Sequence, residues 1–193
     1  MAFDTQAINK QRQDLSQLDD IWLFGYGSLI YKVDFPYIAS QFGFIHGFAR
    51  RFWQGSHDHR GTPEAPGRVL TLSPQGNEKC FGWVFKVTQD VFDHLDHREK
   101  NGYLRDLIDV ELISGEHIQA LVYIAAPNNA AYLGAAEEHA IAEHIFNAAG
   151  PSGRNRDYVY ELANALRLHH QVDPHVFAIE AILLKLELSR QIQ

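Results

Sequence analysis

The apolar pattern of this chain changes character once, near Pro127. Before that point it is built mainly from short runs rich in β-branched and aromatic residues, set between Gly- and Pro-containing turns. After it, large apolar residues fall three and four positions apart. Three helices are predicted there. Ala136–Ala148 carries Ile141, Ile145 and Phe146, Tyr158–His170 carries Val159, Leu162 and Leu166, and Pro174–Leu188 begins with a proline suited to a first turn. Strands followed by helices, without regular alternation, predict an α+β fold rather than a doubly wound one.

The strand-rich part divides as follows. Ile21–Phe24 is a strand ended abruptly by Gly25-Tyr26-Gly27-Ser28, and residues 42–54 form another, bent at Gly43 and Gly47. Gly55 to Gly67 is polar and reads as a long loop. Arg68–Leu72 and Phe81–Val87 are predicted as separate strands, the second with Phe81, Trp83, Phe85 and Val87 alternating. Thr88 is suited to cap a short helix carrying Val91, Phe92 and Leu95, with Gly102 closing it at C′. Leu107–Ile113 and Ile118–Ala125 make a hairpin around Ser114-Gly115-Glu116-His117. Residues 1–20 carry few large apolar groups and read as an N-terminal arm, extended or a short surface helix, outside the core. The remaining residues, 21–193, are expected to form one domain, since 46% apolar residues suffice for a core.

Composition removes several functions. Seventeen Lys and Arg against twenty-four Asp and Glu leave a charge of −7, which argues against a dedicated nucleic-acid binder. Cys80 is the single cysteine, so neither an internal disulfide nor a zinc site with several thiolates is available. No apolar run approaches the roughly 18–20 residues of a membrane helix. The first twenty residues contain no apolar signal segment, so the expected address is the cytoplasm. The oligomeric state cannot be read from these features.

Four segments have chemistry-bearing composition. Gly25-Tyr26-Gly27-Ser28-Leu29 follows an apolar strand but lacks the third glycine of a dinucleotide loop and the Gly-Lys-Ser/Thr of a P-loop. It is either a bare tight turn or a loop whose backbone N–H groups hold a carboxylate or oxyanion. Glu99 sits between Arg98 and Lys100 at a helix end, where the dipole favours cations; it is a solvated end or a carboxylate put to use. Gly150-Pro151-Ser152-Gly153-Arg154-Asn155 is a connector or an anion nest, and the nearby Tyr158 a core residue or a ligand donor. Eleven histidines include the pairs His57/His59 and His94/His97, but no third ligand stands at a recognisable spacing, which favours no metal.

Taken together, Phe24–Leu29, Arg51–Ser56, Asp58–Pro63, Pro66–Val69, Arg98–Tyr103, Tyr132–Gly134 and Gly150–Asn155 with Tyr158 resemble the ChaC family of glutathione-specific γ-glutamylcyclotransferases. The resemblance runs from about Ile21 to Leu184 and is nearest the family's shorter branch. Asn101 stands where that branch commonly has Gly.

The resemblance implies a mixed β-barrel-like core with flanking helices and one reaction, glutathione to 5-oxoproline and Cys-Gly. It implies that Phe24, Gly25, Tyr26, Gly27, Ser28 and Leu29 hold the γ-glutamyl group, that Glu99 is the acid/base, and that Tyr103 and Tyr158 contact substrate. In such a reaction the substrate's own α-amine attacks its γ-carbonyl, so no cofactor, metal or protein nucleophile is needed. The family's preference for intact glutathione has a candidate physical cause in the arginines at 50–68, of which Arg60 and Arg68 flank the long loop and suit a glycine carboxylate. Other γ-glutamyl substrates, or a non-catalytic binder using the same pocket, are the alternatives.

Overall fold

Each half of the fold is built from two stretches of chain that lie apart in sequence. In this computed structural model, which describes residues 4–18 and 20–191, the chain divides into two compact units. One comprises residues 1–49 and 72–130, the other 50–71 and 131–193.

The first unit holds the barrel strands apart from residues 50–56 and 67–71, which belong to the second. Strands β1 (Ile21–Gly25), β2 (Ala39–Ser56), β3 (Gly67–Val87), β4 (Leu104–Leu112) and β5 (His117–Ile124) close in the order β1-β3-β2-β4-β5. β1 runs antiparallel to β3, with Leu23 opposite Phe85, and parallel to β5. β4 and β5 form the expected hairpin, in register from Leu104 opposite Ile124 to Glu111 opposite His117. Helix α2 (Val91–Arg98) buries Val91, Phe92 and Leu95, which join Leu23, Phe85, Leu121 and Tyr123 in one core cluster. The barrel and helices match the α+β expectation.

Close packing explains one glycine. A Cβ on Gly82 would lie 2.4 Å from the Phe24 ring and 2.7 Å from the Gly25 carbonyl oxygen. Gly82→Ala is therefore expected to lower stability by about 1–3 kcal/mol, the usual cost of overpacking a core, read as a fall in Tm. An unchanged Tm would mean that the Phe24 ring is not held there.

The second unit is mainly helical. Helix α3 spans Glu138–Asn147, α4 Asn155–Leu168 and α5 Pro174–Gln191, with a two-residue ladder between β6 (Ala149–Gly150) and β7 (Gly153–Arg154). Val159, Leu162, Leu166, Ile141, Ile145, Val176, Ile179 and Leu183 are fully buried.

Several expectations need correction. The strands predicted at 68–72 and 81–87 are one strand, β3, whose middle is mostly exposed and so has no buried face to impose apolar alternation. Helix α2 starts at Val91 behind Asp90, without a side-chain cap, and Thr88 contributes only its carbonyl, to the Val91 N–H. Gly102 has φ +86° but lies beyond the helix, whose C-cap is Glu99, so it turns the chain rather than occupying C′. The N-terminal segment does contain a short helix, α1 (Gln6–Arg12), yet it does not lie outside the core. Asn9 is wholly buried and Leu15 joins the core cluster.

Candidate active site

In the barrel unit, the segments singled out at 24–29 and 98–103 meet. β1 ends at Gly25 and a 3₁₀ turn begins at Ser28, its Ile30 N–H bonded back to the Gly27 carbonyl at 3.0 Å. Phe24 is 2% and Tyr26 7% exposed, and the Tyr26 hydroxyl donates to the Tyr123 carbonyl at 2.7 Å. What these two residues offer a ligand is therefore backbone. Leu29 packs partly buried against the core, and Tyr103 is a member of that core.

Glu99 is the C-cap of α2, its N–H bonded to the Leu95 carbonyl at 2.8 Å. Its position follows from the buried stripe of a two-turn helix, which leaves the last residue at the edge of the core. The Glu99 side chain is 24% exposed, and its Oε1 lies 3.3 Å from Arg98 Nε. The same guanidinium donates through Nη2 to Ser28 Oγ at 2.7 Å and through Nη1 to Asp34 Oδ1 at 2.6 Å. One cation thus ties the carboxylate to the Gly-Tyr-Gly-Ser turn. Nothing in the sequence sets Arg98 apart from its motif, because a cation in the last turn of a helix is ordinary.

Below Glu99 the polar groups are satisfied. Tyr123 Oη donates to Asp96 at 2.6 Å, and Asp96 pairs with Arg105 at 3.3 Å, both charges about 2% exposed. Burial, then the bond to Asp96, pushes the Tyr123 phenol well above its ordinary pKa, so it stays a neutral donor.

In the helical unit a second group of motifs converges. Asn155 accepts the Arg68 N–H at 2.7 Å and donates to the Arg68 carbonyl at 2.8 Å. Arg68 Nη1 donates to the carbonyls of Phe52 at 2.9 Å and Gly134 at 3.0 Å. Gly61 packs against the 67 backbone so tightly that a Cβ would sit 2.0 Å from Gly67 N. Segments 51–56, 132–134 and 150–155 thus bond to Arg68 in 66–69, and 58–63 packs against its neighbour Gly67. In the sequence Asn155 stands out only as the last residue of the Gly150–Asn155 motif, and its hold on Arg68 emerges from the fold.

The two candidate arginines differ. Arg60 donates to the Arg154 carbonyl at 3.1 Å, lies 3.5 Å from Glu161 and stacks over the Tyr158 ring at 5.8 Å. Tyr158 itself is 8% exposed and meets Phe52 edge-on at 6.0 Å. Arg68 is 8% exposed, its Nε is buried without a partner, and no carboxylate pairs with it among the described residues. Burial holds its pKa below the ordinary arginine value. A buried cation with donors to spare is what an anionic ligand requires. Among the described residues no group of three or more His, Cys, Asp or Glu is placed to hold a metal. No described helix is long and apolar enough to cross a membrane.

Comparison with known proteins gives consistent matches. The sequence model of ChaC-like proteins matches residues 21–186. The chain is 42% identical over 174 residues to glutathione-specific gamma-glutamylcyclotransferase 1 of Danio rerio, covering 85% of this chain and 89% of that protein. It is 44% identical over 168 residues to gamma-glutamylcyclotransferase 2-3 of Arabidopsis thaliana, covering 81% and 84%. Among solved structures, the glutathione-specific gamma-glutamyl cyclotransferase from yeast superposes with a TM-score of 0.80 at 32% identity, covering 86% of this chain and 96% of that one. A gamma-glutamyl cyclotransferase at 14% identity shares the fold, with a TM-score of 0.54.

Proposed function

The chain belongs to the ChaC-like family, and from that membership we propose that it is a glutathione-specific γ-glutamylcyclotransferase, a lyase that converts glutathione to 5-oxoproline and Cys-Gly. The observation that carries the reading is the Arg98 guanidinium, which holds Glu99 and the Ser28 hydroxyl together. A base and a Gly-rich turn at one place are the two parts this reaction asks of a protein.

The chemistry assigns them roles. The α-amine of the γ-glutamyl group arrives protonated. Glu99 takes a proton, the amine attacks the γ-carbonyl, and a five-membered lactam closes. The ring nitrogen gives up its second proton as the C–N bond to cysteine breaks, and Glu99 relays both protons in turn to the departing Cys-Gly nitrogen, which leaves as an ammonium. No water enters and no cofactor or metal is called for, because nucleophile and electrophile belong to one substrate. Backbone N–H groups of the turn at Gly25–Leu29 support the oxyanion and hold the substrate folded for attack. By the family resemblance Tyr103 and Tyr158 contact substrate, and of the two candidate arginines Arg68 is the one with a donor left for a carboxylate. The expected location is the cytoplasm, where glutathione is abundant and a lone thiol such as Cys80 stays reduced.

The direct test is to incubate the pure protein with glutathione and analyse the products. Equal amounts of 5-oxoproline and Cys-Gly, formed without added metal, are expected. Thermal stabilisation by glutathione without either product would establish a binding protein instead. Equal turnover of γ-glutamyl amino acids lacking Cys-Gly would establish a broader cyclotransferase.

A further inference from the structure

The family match begins at residue 21, yet residues 4–13 are bonded to the chain that follows Glu99. That chain, residues 100–103, lies between α2 and β4 and forms neither helix nor strand; it makes one backbone bond of its own, Gly102 N–H to the Lys100 carbonyl at 2.9 Å, and other partners come from elsewhere. The N-terminal segment supplies them. Thr5 N–H donates to the Lys100 carbonyl at 2.9 Å, and Asp4 forms an antiparallel bridge with Asn101. The Thr5 hydroxyl reaches the Tyr103 carbonyl at 2.8 Å, and Asn9 Nδ2 donates to the same oxygen at 3.1 Å. Asn9 Oδ1 accepts the Arg105 N–H at 2.9 Å, and its carbonyl accepts Arg105 Nη2 at 2.8 Å. Arg12 Nε and Gln13 Nε2 both donate to the Arg105 carbonyl at 2.8 Å.

Asn9 is 0% exposed and uses donor, acceptor and backbone on two residues of one segment. A buried amide satisfied on both sides holds its partners in one geometry, and the cost of leaving them unpaired resists displacement. The anchor is also rigid from below, since Arg105 is paired to Asp96 and Asp96 to Tyr123.

We infer that the N-terminal segment is a strap that sets the position of Glu99, with Asn9 as its central positioning residue. This rests on Glu99 being the acid/base of the proposed reaction. Asn9 touches no substrate and acts through the backbone at Tyr103 and Arg105. Proton transfer tolerates little error, and a displacement of about 1 Å can cost about a hundredfold in rate. Binding of the γ-glutamyl group is assigned chiefly to the turn at 25–29, and the strap holds Tyr103 by its backbone carbonyl and not by its ring.

The test compares Asn9→Ala, Glu99→Gln and Val110→Ala in the full chain, well below the Tm of each. Val110 is fully buried in β4, opposite Ile118 and five residues along the strand from Arg105, so its truncation lowers stability away from the bonds that the strap makes. Asn9→Ala is expected to lower kcat about tenfold or more while KM stays within about twofold. Val110→Ala, at a similar loss of Tm, is expected to keep its kcat. If Asn9→Ala does not fold, Thr5→Val carries the test, with an expected threefold or larger fall in kcat and unchanged KM. Full kcat in the strap variant beside an inactive Glu99→Gln overturns the strap alone. Equal losses in the strap variant and Val110→Ala also overturn it, since general destabilisation then accounts for both. An active Glu99→Gln overturns the assignment of the base, and the strap with it.

Discussion

Glu99→Gln is expected to fold normally and lose nearly all turnover. The substitution is isosteric, and the amide oxygen of Gln still accepts from Arg98 Nε, now 3.3 Å from the carboxylate. The tie from Arg98 to Ser28 is likewise untouched, so the turn at 25–29 keeps its place. What disappears is the proton acceptor. General acid–base catalysis contributes roughly 10²–10⁴-fold, and here the same carboxylate serves both the attacking and the leaving amine. kcat/KM should therefore fall by at least about two orders of magnitude, with Tm within a degree or two of the parent. Glutathione should still bind, measurable by calorimetry, because substrate contacts are assigned elsewhere. A variant keeping more than about a tenth of parental kcat/KM would remove Glu99 from the mechanism.

How far the sequence discloses this arrangement depends on where each residue finds its partners. Strands β1, β4 and β5 are legible to within a few residues because their signal is local: short runs rich in β-branched, aromatic and other apolar residues, bounded by turn residues. The middle of β3 is not, since exposed Pro74, Gly76 and Asn77 follow turn statistics while the strand continues. Asn9 illustrates a harder case. A buried amide has no hydropathic signature, and its partners at 103 and 105 are more than ninety positions away. The site divides in the same way. Glu99 and the 24–29 turn stand out by motif. Arg98 does not, because nothing local separates a helix-end cation from one that reaches Ser28, seventy residues back. Nor does composition separate Arg60 from Arg68; Glu161 and the Tyr158 ring claim the first, whereas Gly134 and Asn155 frame the second.

That last difference determines the expected specificity. The glycine end of glutathione is a carboxylate, and Arg68, unlike Arg60, has no carboxylate partner among the described residues and is buried with Nε unpartnered. Holding such a cation in a dry place is costly unless an anion completes it. A substrate that brings the anion gains a charge-assisted, forked pairing, and one that lacks it leaves the cation bare. Sites of this kind discriminate far more sharply than apolar pockets, by up to about 10⁴-fold. The parent is therefore expected to use glutathione at least about a hundredfold better than γ-Glu-Cys, in kcat/KM. Arg68→Ala should bring the two substrates to within about tenfold, chiefly by raising KM for glutathione, because it removes one partner of a buried charge pair worth about 2–5 kcal/mol. Arg68→Lys should recover only part of the preference, since an ammonium lacks the planar fork. Arg60→Ala should leave the ratio nearly unchanged, because Arg60 already spends its donors on Arg154 and Glu161. Tm measured alongside separates the loss of the bonds to Phe52 and Gly134 from the loss of the anion site. Equal use of both substrates by the parent would reject the specificity, and an unaltered ratio in a folded Arg68→Ala would reject Arg68 as its source.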